Sequence, residues 1–317
     1  MHKTGYFTHP DCRRHDMGRG HPECPERLDA IEDRMLASHL LDVVDRREAP
    51  LASPDLLELA HDRMHVAAVR GLAQSVIEEE DAGGDGILYI DPDTAMNRHS
   101  WNAALRAAGA AIAATDAVIA GELENAFCAV RPPGHHATRS RAMGFCIINN
   151  VAVAARYALD RHGLKRVAVV DFDVHHGNGT EDILAGDERV LMVGIFQHPF
   201  YPYSGTGSHA GNMVNVPVPA YTKGPAIREL VEKHWMPRLE EFQPEMIFIS
   251  AGFDAHREDD LGQLGLVEAD YAWMTQRIKD VARKYAKGRI VSTLEGGYNL
   301  SALGRSVEAH VRALADV

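Results

Sequence analysis

Arg166-Val-Ala-Val-Val-Asp171-Phe-Asp173-Val-His175-His176 is the stretch on which the reading of this chain turns. An unbroken apolar, β-branched run that ends in carboxylates and imidazoles reads as a strand buried on both faces, with a polar site at its carboxyl end. Three other runs have the same form. Ala126–Val130 leads into Arg131-Pro-Pro-Gly-His135-His136, Met246–Ser250 into Ala251-Gly-Phe-Asp254, and Arg289–Leu294 into Glu295-Gly-Gly-Tyr298. Further strands are expected at Arg189–Phe196 and Val214–Val218. Helical periodicity marks Pro25–Asp45, Ser53–Glu80, Ser100–Ala120, Asn150–His162, Gly224–Phe242, Glu268–Ala286 and Leu300–Leu314. Helices alternating with solidly apolar strands predict one α/β domain over residues 1–317, with a mainly parallel sheet covered by helices on both faces. In an open parallel sheet the carboxyl ends of the strands share one edge, so the four polar motifs are expected to meet there.

Residues at i, i+2 and i+4 of an extended segment point the same way. Asp171, Asp173 and His175 have that spacing. Asp173 and His175 can therefore hold one metal ion while Asp171 stays behind as a hydrogen-bond acceptor, and Asp254 is the natural third ligand. One nitrogen and two oxygen ligands leave positions open for water and substrate, the mark of a catalytic site. Zn²⁺ is the expected ion, and Fe²⁺, Co²⁺ or Mn²⁺ also suit oxygen-rich ligands.

His135 and His136 follow a stiff Pro-Pro-Gly turn. Imidazoles titrate near neutrality, so the pair suits general base and general acid duty. Each needs a partner on its far nitrogen, and Asp171 and Asn178 are the candidates. Tyr298 follows two glycines that let the backbone approach a ligand closely. Its phenol could donate to a carbonyl oxygen as negative charge develops there, an effect worth ~3–4 kcal/mol for a typical donor.

Bulk composition narrows the classes. The 317 residues carry 33 basic and 45 acidic side chains, a net charge of −12. A nucleic-acid surface would need the opposite balance; a cationic substrate is compatible with it. No apolar run is long enough to span a bilayer, and the first residues lack the apolar core of a signal peptide. Cys12, Cys24, Cys128 and Cys146 form no CxxC pair, which argues for a reducing, cytoplasmic setting without a disulfide framework.

With these residues assembled, the chain resembles the histone deacetylase and acetylpolyamine amidohydrolase family. The resemblance runs from His21-Pro-Glu-Cys-Pro-Glu-Arg27 to Leu294-Glu-Gly-Gly-Tyr-Asn-Leu300 and includes Gly144-Phe-Cys146. Asn178, where class I enzymes carry Asp, makes it most similar to class II enzymes and their bacterial relatives. The resemblance implies an arginase-like fold with an eight-stranded sheet. It implies that Asp173, His175 and Asp254 bind zinc, that Asp171 backs His135, and that Asn178 backs His136, the general base and acid. Tyr298 then polarises the carbonyl. Asp93 accepts the substrate amide N–H. Gly144, Phe145 and an aromatic of Phe200-Tyr201 line an acetyl-lysine tunnel, with Tyr201 the favoured wall. Arg27 matches an arginine near an internal acetate cavity, although a helix-start arginine on the surface would read the same. The family's structural K⁺ site would draw on Asp171, Asp173 and His175, and it lacks one ligand here because Gly194 replaces a serine.

The expected reaction is zinc-dependent hydrolysis of an N-acetyl amide on a lysine side chain or a small acetylated amine. The expected partners include neither nucleic acid nor membrane, and a homo-oligomer is compatible. Three rivals remain at this point. One is an acetylpolyamine amidohydrolase, disfavoured by the lack of an insertion between Arg27 and Asp93. Another is a silent acyl-lysine binding module, disfavoured by the complete set of polar residues. The last is a dimanganese hydrolase of arginase type, which needs ligands where Pro133 and Gly134 stand.

Overall fold

The computed structural model describes residues 3–207 and 210–317. Ten strands are present among them: β1 (Thr4–Thr8), β2 (Asp45–Glu48), β3 (Leu88–Asp91), β4 (Thr94–Met96), β5 (Asn125–Cys128), β6 (Val167–Asp171), β7 (Val190–Gln197), β8 (Met213–Val218), β9 (Met246–Ala251) and β10 (Ile290–Leu294). Eight of them form one sheet in the order β2-β1-β5-β10-β9-β6-β7-β8. Every pairing in it is parallel. The four strands that precede the four polar motifs are β5, β10, β9 and β6, which are consecutive neighbours at the centre of the sheet.

Burial explains the apolar runs. Every residue of β5, β6, β7, β9 and β10 is buried. Strands covered on both faces read as continuous hydrophobic sequence. The alanine-rich helix Ser100–Ile119 and the helix Asn150–Asp160 pack together against the strands. Glu268–Tyr285, Leu300–Ala315 and Glu26–Ala37 form a second packed group. A polar knot sits inside that second layer. His310 bonds Thr275 Oγ1 at 2.6 Å and Ser292 Oγ at 2.8 Å, among the rings of Phe127, Phe172 and Phe253.

Two expectations need correction. The helix expected at Pro25–Asp45 ends at Ala37, and Asp45–Glu48 is instead the edge strand β2. Its sequence, Asp-Arg-Arg-Glu, has no hydrophobic pattern because an edge strand faces solvent, and charge there discourages pairing with other chains. The helix expected at Ser53–Glu80 is two helices, Pro54–Leu57 and Arg63–Asp81. One element is an addition: the antiparallel hairpin β3–β4, too short to stand out by periodicity, carries Pro92-Asp93 at its turn. Among the described residues no helix is long and apolar enough to cross a membrane.

Candidate active site

The four strand-end motifs converge. Asp173 Oδ1 lies 3.0 Å from His175 Nδ1, and Asp254 Oδ2 lies 3.1 Å from the same nitrogen. All three side chains present a donor atom within 4.8 Å of one another. A tetrahedral ion with bonds of about 2.0–2.2 Å sets its ligands about 3.3–3.6 Å apart. The remaining oxygens are already used: Asp173 Oδ2 accepts the Gly296 amide at 2.8 Å and Asp254 Oδ1 the Val174 amide at 2.8 Å. Asp254 Oδ2, fully buried, accepts no hydrogen bond. A buried carboxylate oxygen without a hydrogen bond, facing the His175 ring nitrogen at 3.1 Å, suits a shared cation. The residues therefore fit a divalent metal held by Asp173, His175 and Asp254. Glycine makes the approach feasible, since a Cβ at Gly296 would lie 2.1 Å from Asp254 Oδ2.

The two histidines stack with ring centroids 4.0 Å apart, yet their environments differ. His135 Nδ1 donates to Asp171 Oδ2 at 3.0 Å. Burial works to lower its pKa, but the carboxylates of Asp173 and Asp171 outweigh burial and hold it well above the usual imidazole range. His136 Nδ1 donates to Asn178 Oδ1 at 2.7 Å. Burial, reinforced by His135 and His175, keeps it well below that range. A neutral amide behind His136 does not reverse this. His136 is thus the neutral imidazole, with Nε2 as its acceptor, and His135 the one that favours a positive charge.

Beneath them lies a residue the sequence reading quoted without assigning a role. Glu295 Oε2 accepts the amides of Gly134 at 2.6 Å and His135 at 3.0 Å. It ties the end of β10 to the histidine loop. Burial pushes its carboxyl up to about 7.

A cavity of about 240 Å³ opens over the site, lined by Asp93, His136, Gly144, Phe145, His175, Phe200, Tyr201, Leu261 and Tyr298. All five expected substrate-side residues are among them. Phe200 stacks on His175 at 5.3 Å, whereas Tyr201 meets His136 edge-on at 5.2 Å. The wall is therefore made by both aromatics, not by Tyr201 in place of Phe200. Phe145 has φ +69° and stands edge-on to Tyr298 at 5.8 Å, its amide bonded to Thr94 Oγ1 at 2.9 Å. The hairpin that supplies Thr94 also supplies Asp93, while Asp91 turns to Arg141 at 3.0 Å. Leu261 is the lining residue that sequence reasoning missed; an isolated leucine after two aspartates carries no signal. A larger groove of about 680 Å³ beside Val66, Gln74 and Trp101 holds none of the strand-end motifs, so volume alone does not choose the site.

Arg27 is fully buried, which removes the surface-charge alternative. Its guanidinium bonds the carbonyls of Gly297 at 2.7 Å and Glu295 at 2.5 Å and lies 5.0 Å from the centre of the Tyr298 ring. Glu23 pairs with both Arg27 and Arg131. Gly194 stands beside Asp171 in the register of β6 and β7, at the position that the resemblance gives to a serine.

A parallel α/β sheet bearing an Asp-His-Asp metal cluster and a histidine pair at its carboxyl edge defines a metal-dependent amide hydrolase of deacetylase type. The four strand-end motifs lie inside a match to the histone deacetylase domain over residues 21–314, and the chain belongs to that family. It is 38% identical to the "Histone deacetylase-like amidohydrolase" of Pseudomonas aeruginosa, over 88% of this chain and 73% of that protein. It is 36% identical to the "Probable deacetylase" of Archaeoglobus fulgidus, over 94% and 82% respectively. It shares 36% identity with the "Type-2 histone deacetylase 2" of Dictyostelium discoideum over 99% of its own length but spans only 21% of that protein. The crystal structure of the HDA15 HD domain matches all of this chain and 90% of that one, with a TM-score of 0.92 at 33% identity.

Proposed function

We propose that residues 1–317 form one catalytic domain that removes an acetyl group from the Nε-amine of lysine, with zinc as the metal and the cytoplasm as its setting. The observation that carries this reading is the Asp173–His175–Asp254 cluster, with an Asp254 oxygen that accepts no hydrogen bond, at the floor of an aromatic cavity that also holds His136 and Tyr298. Four free cysteines support the setting.

A divalent ion in this cluster supplies Lewis acidity, polarising an amide carbonyl and bringing the pKa of water to ~7. The rest falls to the chain. Phe145, Phe200 and Tyr201 enclose the apolar stem of a lysine side chain and exclude water. Asp93 at the rim accepts an N–H from the substrate. His136 Nε2 takes the proton as water attacks, because Asn178 fixes its other nitrogen as the donor. The resulting imidazolium returns a proton to the leaving amine. Tyr298 donates its phenol hydrogen to the developing oxyanion. Asp171 holds His135 by a charge-assisted hydrogen bond, which favours positive charge next to the reacting centre. A structural K⁺ beside Asp171 belongs to this reading with one ligand fewer, given Gly194.

The test compares kcat/KM of zinc-loaded protein on an acetyl-lysine peptide, N-acetylputrescine and acetylspermidine. The peptide is expected to be preferred. A tenfold or greater preference for either polyamine would reassign the substrate, and metal-loaded protein inert on all three would return the binding-module reading.

A further inference from the structure

One buried carboxylate bonds two cavity-lining segments at once. Asp259 is 6% exposed. Its Oδ2 accepts the amides of Tyr298 at 2.6 Å and Asn299 at 2.9 Å, and its Oδ1 accepts the amide of Leu261 at 3.0 Å. Tyr298 and Leu261 both line the cavity, yet they arrive on separate segments, one after β10 and one in the loop after β9. Capping of the helix Leu300–Ala315 does not require Asp259, because Asn299 already accepts the Ala302 amide with its own side chain at 3.0 Å. On the opposite side of the same turn, Arg27 grips the carbonyls of Glu295 and Gly297. The backbone of Tyr298 is thus held through its N–H by an anion and through the preceding carbonyl by a cation.

We propose that Asp259 is a positioning residue that sets Tyr298 and Leu261 relative to each other, so that the phenol and the tunnel wall move as one unit. This rests on the reading of Tyr298 as the oxyanion donor. Three backbone donors converge on its two oxygens, well within the capacity of an ionised carboxylate. Alanine would leave all three amides without their acceptor and free the two segments. Asparagine divides the functions. Its single carbonyl oxygen can keep Tyr298 and Asn299, but its NH₂ then faces the Leu261 amide, donor against donor. A displacement near 1 Å at a catalytic group costs on the order of 10²-fold in rate, so a small release should be visible in turnover.

The experiment places Asp259→Ala and Asp259→Asn in the wild-type and Tyr298→Phe backgrounds. It follows turnover of an acetyl-lysine peptide by zinc-loaded protein and, without substrate, amide hydrogen exchange. Asp259→Ala is expected to lower kcat at least tenfold in the wild type but less than twofold in Tyr298→Phe, because the phenol through which it acts is already gone. Exchange should accelerate at 260–262 and 297–300 together. Asp259→Asn should open 260–262 alone, raising KM severalfold with kcat changed less than threefold. Equal kcat losses in both backgrounds, or exchange unchanged at both segments, would overturn the proposal. If the alanine variant does not fold, the asparagine variant decides, and its being identical to wild type in exchange and kinetics would count against the proposal. Should Tyr298→Phe itself keep the wild-type rate, the oxyanion reading fails, while the exchange data still show whether Asp259 ties the two segments.

Discussion

At the scale of single residues, the proposed reading separates groups that would hold the metal from groups that would handle charge and protons. Asp173→Ala removes a ligand oxygen and also the acceptor of the Gly296 amide. It is expected to lose bound metal, as measured by elemental analysis after dialysis. Tyr298→Phe touches no ligand and should keep full metal while kcat falls by about 10²–10³, the usual consequence of losing an oxyanion donor. Equal metal content and equal activity in the two variants would contradict both assignments. Most of these candidate residues were legible in the sequence, because carboxylate and imidazole at alternate positions beyond an apolar run have few structural uses. Leu261 and Asp259 were not. They matter through where their loop lies against Tyr298, and nothing local in Asp259-Asp260-Leu261 encodes that.

At the scale of elements, β5 to β10 were readable, the edge strand β8 included, whereas β1, β2 and the hairpin were not. Central strands carry an uninterrupted apolar code since both faces are covered; β2 has a charged outer edge, and β3–β4 is too short. The loop after the histidines shows how tightly such a connection is shaped. Gly144 has φ +56°, and a Cβ there would lie 2.6 Å from His136 Cδ2 and 3.0 Å from the Tyr201 hydroxyl oxygen. Left-handed backbone costs an alanine ~1–2 kcal/mol. Gly144→Ala should therefore lower the melting temperature by only a few degrees, while kcat/KM falls more than tenfold because the added methyl displaces the His136 ring. A variant as active as wild type would show that the loop has slack that the geometry denies.

At the scale of the whole molecule, the buried polar knot around His310 links stability to pH. Burial, aided by Lys279, pulls the His310 imidazole down to about 3. In the unfolded chain it titrates at ~6.5, so between these values the unfolded state binds the extra proton. The contribution of neutral His310 is complete above the unfolded pKa and declines as pH falls toward the folded one, by ~1.4 kcal/mol per pH unit. Urea titrations should show the stability gap between wild type and His310→Gln narrowing by about that slope between pH 6 and pH 5; a constant gap would refute the assignment. His61, also buried and pulled down to about 3, adds a second titration of the same sign. One more consequence lies in the strand order. The last strand of this sheet in chain order, β10, belongs between β5 and β9, in the very middle of the sheet. A nascent chain finished as far as the helix Glu268–Tyr285 still has a slot at its centre, flanked by two unpaired edges. This architecture closes like a keystone arch, late and all at once, and the stage that most needs protection from aggregation during synthesis is the one at which the sheet lacks β10 alone.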